Sequence, residues 1–433
     1  MRARALVLAA ALLALARASE AQRSAVTEFT AGGVRVIFKP VPANEVIAVR
    51  LYLRGGSANL TPQRAGIEQF AGELARHGTE RYSQDAFAAL AARTGTVIGA
   101  EAGHDFTVFT LRAVRDFWND AWDLFTQAAL HPTFPDDQLA LVRDQLLNGL
   151  RRRPDDPDSQ LNHLADSVFY AGHAYALEPE GTEAAVGALT RDDLLQWHRE
   201  RFTKENLLLV VVGNIQRADL EARIATAFGA LPARGGAARR PGPYTARPAD
   251  VMVVPRQLPT NYVQGMFVAP ARADADYAAV RVGINILSGR LFEEVRTKRN
   301  LSYAVYAGLY GNRVNAGFLY VTAVEPDTTL KVMRHEVERL AAEPITPGRL
   351  AENVNRFVTG YLMGQEANMD QAATLGAYEL VGGGWRRAGS FPDRVRAATS
   401  ADVQRVARRY LRNMRFVVIG DSSKVDRRLF TSF

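Results

Sequence analysis

Cysteine is absent from the 433-residue sequence, and no internal apolar run is long. The absence of cysteine excludes disulfides, thiolate metal ligands and a cysteine nucleophile. Burial of apolar side chains, which make up 47% of the residues, must therefore supply the stability of the fold. The longest apolar run, from Ala5 to Ala16, is too short for a membrane-spanning helix, so no membrane span is predicted.

Residues 1–21 have the features of a secretory signal peptide. Arg2 and Arg4 precede the apolar run, and Ala21 follows it as the expected cleavage site. Export of a chain without cysteine suits a bacterial periplasm. We therefore expect a mature protein that is periplasmic or secreted.

Positive charge is in modest excess, with a formal net charge of +7 and arginines spread along the chain. Local arginine runs occur at residues 151–153 and 239–240. No interleaved aromatic residues and no nucleic-acid-binding motif accompany these runs, so they are interpreted as solvated surface. No nucleic-acid partner is predicted.

The chain is long enough for two domains, and an internal repeat supports that division. The segment from Thr190 to Asn214, a threonine-capped helix followed by an apolar strand and a glycine, is echoed from Thr399 to Asp421, about 209 residues later. The sequence therefore predicts an α+β protein with two homologous halves. The predicted domains are residues 27–229 and 249–433, joined by a linker rich in Gly, Pro and Arg at residues 230–248.

Several local patterns predict individual elements. Residues 34–38 and 46–53 read as neighbouring antiparallel strands. Apolar residues at i, i+3, i+4 and i+7 from Ile67 predict a helix, which Gly78 is expected to end in a left-handed turn. Residues 315–322 alternate as a strand, interpreted either as an internal strand or as an edge with which an extended peptide pairs.

The strand at 46–53, the Gly-Gly-Ser turn after it, the helix opened by Gly66 and its exit at residues 78–83 resemble the pitrilysin/insulinase-type zinc peptidases. In that family the helix carries His-x-x-Glu-His, with two zinc-binding histidines and a glutamate base, and a later helix supplies a further zinc-binding Glu. The resemblance places these four groups on Gln69, Gly72, Glu73 and Gly149. Because none of these positions keeps the family's residue, no zinc is expected in this chain.

A second stretch, residues 287–305, resembles the family segment whose Arg and Tyr lie seven residues apart. The resemblance assigns Arg296 and Tyr303 the role of holding the substrate beside the zinc of another domain. An arginine can hydrogen-bond a peptide carbonyl, and both side chains can stabilise a developing oxyanion. The spacing alone instead predicts that Arg296 is a solvated helix residue and that Tyr303 is a core aromatic.

The resemblance implies two homologous α/β-sandwich domains, each an antiparallel sheet with helices. It also implies a catalytically incomplete subunit of a heterodimeric periplasmic metallopeptidase, in which a homologous partner subunit holds the zinc and the complex hydrolyses peptides. Two alternatives remain: a stand-alone peptide-binding or scaffold protein, and an enzyme with a rebuilt metal site. The residues considered for such a site are Glu73 and His77, together with Glu101, His104 or His163.

Overall fold

The computed structural model describes residues 25–433, so the expected signal peptide lies outside the described part. Two β-sheets, one from each half of the sequence, form the centre of the fold. Within residues 25–433, none of the helices combines the length and the apolar character needed to cross a membrane.

The first sheet has six strands in the order β1-β2-β6-β3-β5-β4. Its strands are β1 Thr27–Ala31, β2 Val34–Pro40, β3 Val46–Arg54, β4 Val97–Ala102, β5 Phe106–Val114 and β6 Leu207–Gly213. The pair β2 and β6 is parallel, and the other neighbouring pairs are antiparallel. The prediction that residues 46–53 pair with residues 34–38 is therefore wrong. The strand β6, which is buried along its whole length, lies between them.

The second sheet has five strands in the order β7-β11-β8-β10-β9. Its strands are β7 Asp250–Pro255, β8 Asn261–Val268, β9 Val305–Leu309, β10 Ala316–Ala323 and β11 Arg415–Gly420. Matching β2 to β6 with β7 to β11 in chain order gives the same arrangement, including one parallel pair, β7 with β11. The two homologous halves are thus confirmed. Because β10 lies between β8 and β9, residues 315–322 belong to an internal strand rather than an edge.

Helices cover both sheets. Those before the linker are α1 Ile67–Leu74, α2 Gln84–Thr94, α3 Trp118–Leu130, α4 Asp136–Arg152, α5 Pro157–Phe169, α6 Glu183–Ala188, α7 Arg191–Arg201 and α8 Arg217–Phe228. Those after it are α9 Tyr277–Leu291, α10 Pro326–Ala342, α11 Pro347–Met363, α12 Asn368–Val381, α13 Arg386–Gly389, α14 Phe391–Arg396, α15 Ser400–Tyr410 and α16 Arg427–Thr431. Residues 229–249 form no helix or strand.

The helix that precedes the last strand of each half, α7 or α15, opens with the same capping box. Thr190 accepts a hydrogen bond from the N–H of Asp193, and Asp193 accepts one from the N–H of Thr190. Thr399 and Asp402 repeat this reciprocal arrangement. Each cap satisfies backbone donors that the first helical turn leaves free, which confirms the predicted N-cap at Thr190.

Each half also lends one helix to the sheet of the other. Helix α5 packs on β8 and β11 of the second sheet, and α12 packs on β3 and β6 of the first sheet. Both faces of the central strands are therefore covered, which explains why β6 is apolar at every position except its final glycine. The exchange ties the two halves together through buried apolar contacts.

Gly376 lies where α12 crosses the first sheet. A Cβ at this position would lie 2.3 Å from the ring of Tyr52, which is only 1% exposed. We expect Gly376→Ala to lower the free energy of unfolding by about 1–3 kcal/mol, because the enclosed ring has nowhere to move. Gly360→Ala on α11 is the control, since nothing lies within 4 Å of its added Cβ, and it should be neutral or stabilising. Denaturant unfolding that gave both variants the same change would contradict this packing.

Candidate functional site

A left-handed glycine lies at the start of helix α1 rather than at its end. Gly66 has φ +92°, and a Cβ there would lie 2.8 Å from the carbonyl oxygen of Glu180. The helix ends at Leu74, not at Gly78 as predicted. The N–H of His77 donates to the carbonyl oxygen of Leu74, only three residues back, and Gly78 does not adopt the left-handed conformation. Gly78 instead forms an isolated bridge with Ser83.

Two of the motif positions on α1 carry polar side chains that already have partners. The Gln69 amide accepts a hydrogen bond from the N–H of Ala102 at 3.1 Å and donates to Glu73 at 3.3 Å. Glu73 also forms an ion pair with Arg76. The groups at the two histidine positions are therefore held by each other and by their neighbours.

The position of the family's glutamate base has no room for a side chain. A Cβ on Gly72 would lie 2.7 Å from the Cβ of Ala100, because α1 packs closely on β4. At Gly149 on α4, by contrast, nothing lies within 4 Å of an added Cβ. These residues do not fit a zinc ion with its ligands and base.

Gln69 and Gly149 do line one cleft, of about 670 Å³, as the resemblance implies. Charged side chains that were not predicted to lie together form one wall of this cleft. Arg153 donates to Glu178 at 2.8 Å, and Glu178 also pairs with His163. The packing of α4, α5 and the chain before α6 brings these residues together. Their spacing in the sequence does not predict that they are neighbours.

Two of the histidines considered for a rebuilt metal site contact other side chains. His77 Nδ1 lies 3.1 Å from the side-chain oxygen of Gln138, and His104 Nδ1 lies 2.8 Å from the hydroxyl of Ser57. In residues 25–433 no group of three or more His, Cys, Asp or Glu side chains is placed to hold a metal ion. The geometry therefore does not assemble Glu73 and His77 into a metal centre.

His104 is held neutral in the wall of the cleft. Its ring stacks on Tyr175 with the centroids 4.5 Å apart, and burial lowers its pKa to about 4. The Ser57 hydroxyl donates to the carbonyl oxygen of Leu177, so His104 Nδ1 must donate its proton to Ser57. This hydrogen-bond direction leaves Ser57 without a base, which argues against a nucleophilic role.

Asp166 in the same cleft supplies a pH-dependent test. Burial, with a contribution from the charge of Glu178, raises its pKa to about 7, while His163 acts in the opposite direction. Ionisation of Asp166 is less favourable in the folded state than in the unfolded state. The free energy of unfolding therefore falls as the pH rises from about 4 to 7, and it changes no further on this account above pH 7. We expect Asp166→Asn to unfold at a higher temperature than the parent protein above pH 7, with the gap narrowing toward pH 4. The exposed Asp155→Asn should show no such trend in the same pH series.

The second predicted pair, Arg296 and Tyr303, lies on the surface of the second half. Arg296 is in a π-helical turn, Phe292–Thr297, that continues α9, a geometry often found at functional sites. Its guanidinium carbon lies 4.3 Å from the ring centroid of Tyr303 and 4.9 Å from that of Phe292. Tyr303 is 80% exposed, so its interpretation as a core aromatic is wrong.

Arg296 has no ion pair or side-chain hydrogen bond to any described residue. The nearest acidic residue on its own turn, Glu294, pairs instead with Lys298 at 2.7 Å and Arg299 at 2.5 Å. These contacts lower the pKa of Glu294 to about 2. The two aromatic rings thus orient a guanidinium whose hydrogen-bond donors stay available.

The two predicted constellations do not meet within this chain. The lining of the cleft beside Gln69 comes from the first half alone and includes neither Arg296 nor Tyr303. A substrate that contacted Arg296 would therefore find no metal or base supplied by that cleft.

Two family profiles and several relatives match this chain. Residues 35–179 match the profile of the insulinase family, peptidase family M16, and residues 188–357 match that of the peptidase M16 inactive domain. Among relatives, an uncharacterized zinc protease of Mycobacterium tuberculosis is 25% identical over 390 residues, covering 88% of this chain and 89% of the relative. A protein of Helicobacter pylori named a non-peptidase homolog is 22% identical over 351 residues, covering 78% and 80%.

Solved structures share the fold. A peptidase M16 inactive domain from Pseudomonas fluorescens has a TM-score of 0.85 at 24% identity and covers 92% of this chain and 98% of its own. A periplasmic protease of Escherichia coli has a TM-score of 0.76 at 16% identity, covering 92% of this chain and 47% of its own. With two profiles of one family that together span more than two thirds of its length, the chain belongs to the insulinase family, peptidase family M16.

Proposed function

We propose that this chain is the zinc-free subunit of a two-subunit peptidase of the insulinase family. A homologous partner with an intact His-x-x-Glu-His motif supplies the zinc and the base. This chain supplies Arg296 and Tyr303, which contact the peptide substrate. The observation that carries the proposal is the arrangement of Arg296, which is oriented by two aromatic rings yet has no acidic partner among the described residues.

The chemistry of the pair suits a peptide whose carbonyl becomes an oxyanion. The guanidinium of Arg296 can donate to a peptide carbonyl oxygen through its planar set of N–H groups. The Tyr303 hydroxyl is a second donor that can reach the same region of the substrate. Donors fixed before the reaction stabilise the developing negative charge without reorganisation. The partner's zinc would supply Lewis-acid polarisation of that carbonyl.

The first half supports a division of labour between subunits. Its motif helix keeps the family's position but not its ligands, and β4 fills the space beside Gly72. Support for the inactive role also comes from the match of residues 188–357 to the peptidase M16 inactive domain. The periplasmic location is proposed from the signal-like residues 1–21 and from the likeness to the periplasmic protease of Escherichia coli.

Assembly tests this proposal before any activity is measured. The mature chain is mixed with a homologue from the same genome that carries the intact motif, and the mixture is examined by size-exclusion chromatography with light scattering. We expect a complex with equal amounts of the two chains. If each chain elutes alone over the micromolar range, the subunit role fails and a stand-alone peptide-binding or scaffold role is favoured.

A further inference from the structure

A second cleft, of about 600 Å³, lies between the two halves and is rich in arginine. The first half contributes Arg35 and Arg54, the linker contributes Arg239 and Arg240, and the second half contributes Arg313. This cleft does not share lining residues with the cleft at Gln69. The properties of this cleft do not depend on the proposed peptidase complex.

The acidic residues of the cleft are already engaged by other groups. Asp105 accepts hydrogen bonds from the Tyr175 hydroxyl at 2.6 Å and from the N–H of Arg313 at 2.8 Å. Glu379 pairs with Arg35 and accepts from the N–H of Trp385. The third acid of the lining, Glu205, is exposed and accepts from the N–H of Gly235 at 3.0 Å.

Arg54, at the end of β3, is left without an acidic partner. Its side chain donates no hydrogen bond to any residue within 25–433, and its Nε is buried. Burial lowers its pKa, and the charges of Arg35, Arg240 and Arg313 act in the same direction, while the charge of Glu379 acts in the opposite one. A guanidinium in this environment is costly unless an anion completes it.

The linker supplies the other uncompensated charges. Arg239 and Arg240 are exposed and form no ion pair with any described residue. The linker is fixed against the first half nearby, since the N–H of Arg239 donates to the side-chain oxygen of Asn59 at 3.0 Å. The run at residues 239–240, which the sequence suggested to be simple solvated surface, thus opens onto the same cleft as Arg54.

We propose that Arg54, Arg239 and Arg240 form a binding site for a multivalent phosphate-type oxyanion, such as inorganic phosphate, pyrophosphate or a phosphate ester. Three guanidinium groups without acidic partners match a ligand with two or more negative charges better than a single carboxylate. Guanidinium groups bind phosphate oxygens through paired, charge-assisted hydrogen bonds. Because the cleft spans both halves and the linker, the anion would stabilise their relative arrangement.

Calorimetric titration with phosphate and pyrophosphate at matched ionic strength tests the site. We expect saturable binding by the full mature chain. Arg54→Met and the double variant Arg239→Ala/Arg240→Ala should each weaken it roughly tenfold or more, the effect of losing a charge-assisted hydrogen bond. Arg152→Ala, which removes an exposed charge outside the cleft, should bind as the parent does. Equal weakening by Arg152→Ala, or no saturable binding by the parent, would overturn the proposal.

Thermal unfolding separates a ligand site from a structural role of Arg54. Without phosphate, Arg54→Met should unfold at a higher temperature than the parent, because it removes a partly buried charge that has no partner. With phosphate, the parent and Arg152→Ala should gain more stability than Arg54→Met and the double variant do. A peptide whose terminal carboxylate displaces pyrophosphate at lower concentration than phosphate does would assign the cleft to carboxylates and contradict the phosphate proposal.

Discussion

Arg296→Ala is expected to lower kcat/KM of the mixed two-chain complex for a peptide substrate by about 100- to 1000-fold, the usual effect of removing one oxyanion donor. The side chain lies between the rings of Phe292 and Tyr303, so its removal takes away a donor whose direction is already fixed. Arg296→Lys should restore little of the loss, because an ammonium group does not reproduce the planar set of donors. Tyr303→Phe, which deletes only the hydroxyl, should give a smaller loss of the same kind.

Arg299→Ala is the matched control for Arg296→Ala. It removes the same charge from the same segment, but Arg299 already pairs with Glu294 at 2.5 Å. Its kcat/KM should stay close to that of the parent complex, because the Arg299 guanidinium is already bound by Glu294. If Arg299→Ala and Arg296→Ala reduce activity equally, the effect is one of general charge and the substrate-binding role of Arg296 is wrong. All variants should unfold at nearly the parent temperature.

Gly72→Glu, which restores the family's base, is expected to destabilise the protein rather than activate it. The added side chain would begin 2.7 Å from the Cβ of Ala100, and crowding of a packed contact costs about 1–3 kcal/mol. Gly149→Ala is the matched helical glycine, since its added Cβ meets nothing within 4 Å, and it should stabilise by up to about 1 kcal/mol. Denaturant unfolding of the two variants gives opposite signs if the contact between α1 and β4 is as tight as described.

The same contact limits a full restoration of the motif. Gln69→His, Gly72→Glu, Glu73→His and Gly149→Glu combined should bind little zinc unless Ala100→Gly is added to make room beside Gly72. Stoichiometric zinc in the combined variant without the change at Ala100 would show that β4 does not block the site. The zinc content is measured on the purified variants.

The sequence predicts those features that depend on local pattern or on an ordered repeat. The N-cap at Thr190 follows from a threonine placed before a helical pattern, and the duplication follows from two similar helix-strand units. The shared cleft at Gln69 and Gly149 follows from the resemblance, because the family brings those two helix positions together.

Contacts between residues that are far apart in the chain could not be predicted from the sequence. The exchange of α5 and α12 between sheets joins residues far apart in the chain, and no periodicity encodes which sheet a helix covers. The insertion of β6 between β2 and β3 is of the same kind. The absence of an acidic partner for Arg54 appears only when the surrounding side chains are placed. The end of α1 before Gly78 depends on the turn in which the N–H of His77 donates to the carbonyl oxygen of Leu74.

The most direct test of the central claim is zinc content together with peptidase activity, measured on the mature chain alone and on its mixture with the homologue carrying the intact motif. The chain alone should contain no stoichiometric zinc and cleave no peptide. The mixture should cleave peptides with one zinc per pair of chains, and Arg296→Ala in this chain should reduce that activity. Stoichiometric zinc and hydrolysis by the chain alone would contradict the account and place the reaction within this subunit.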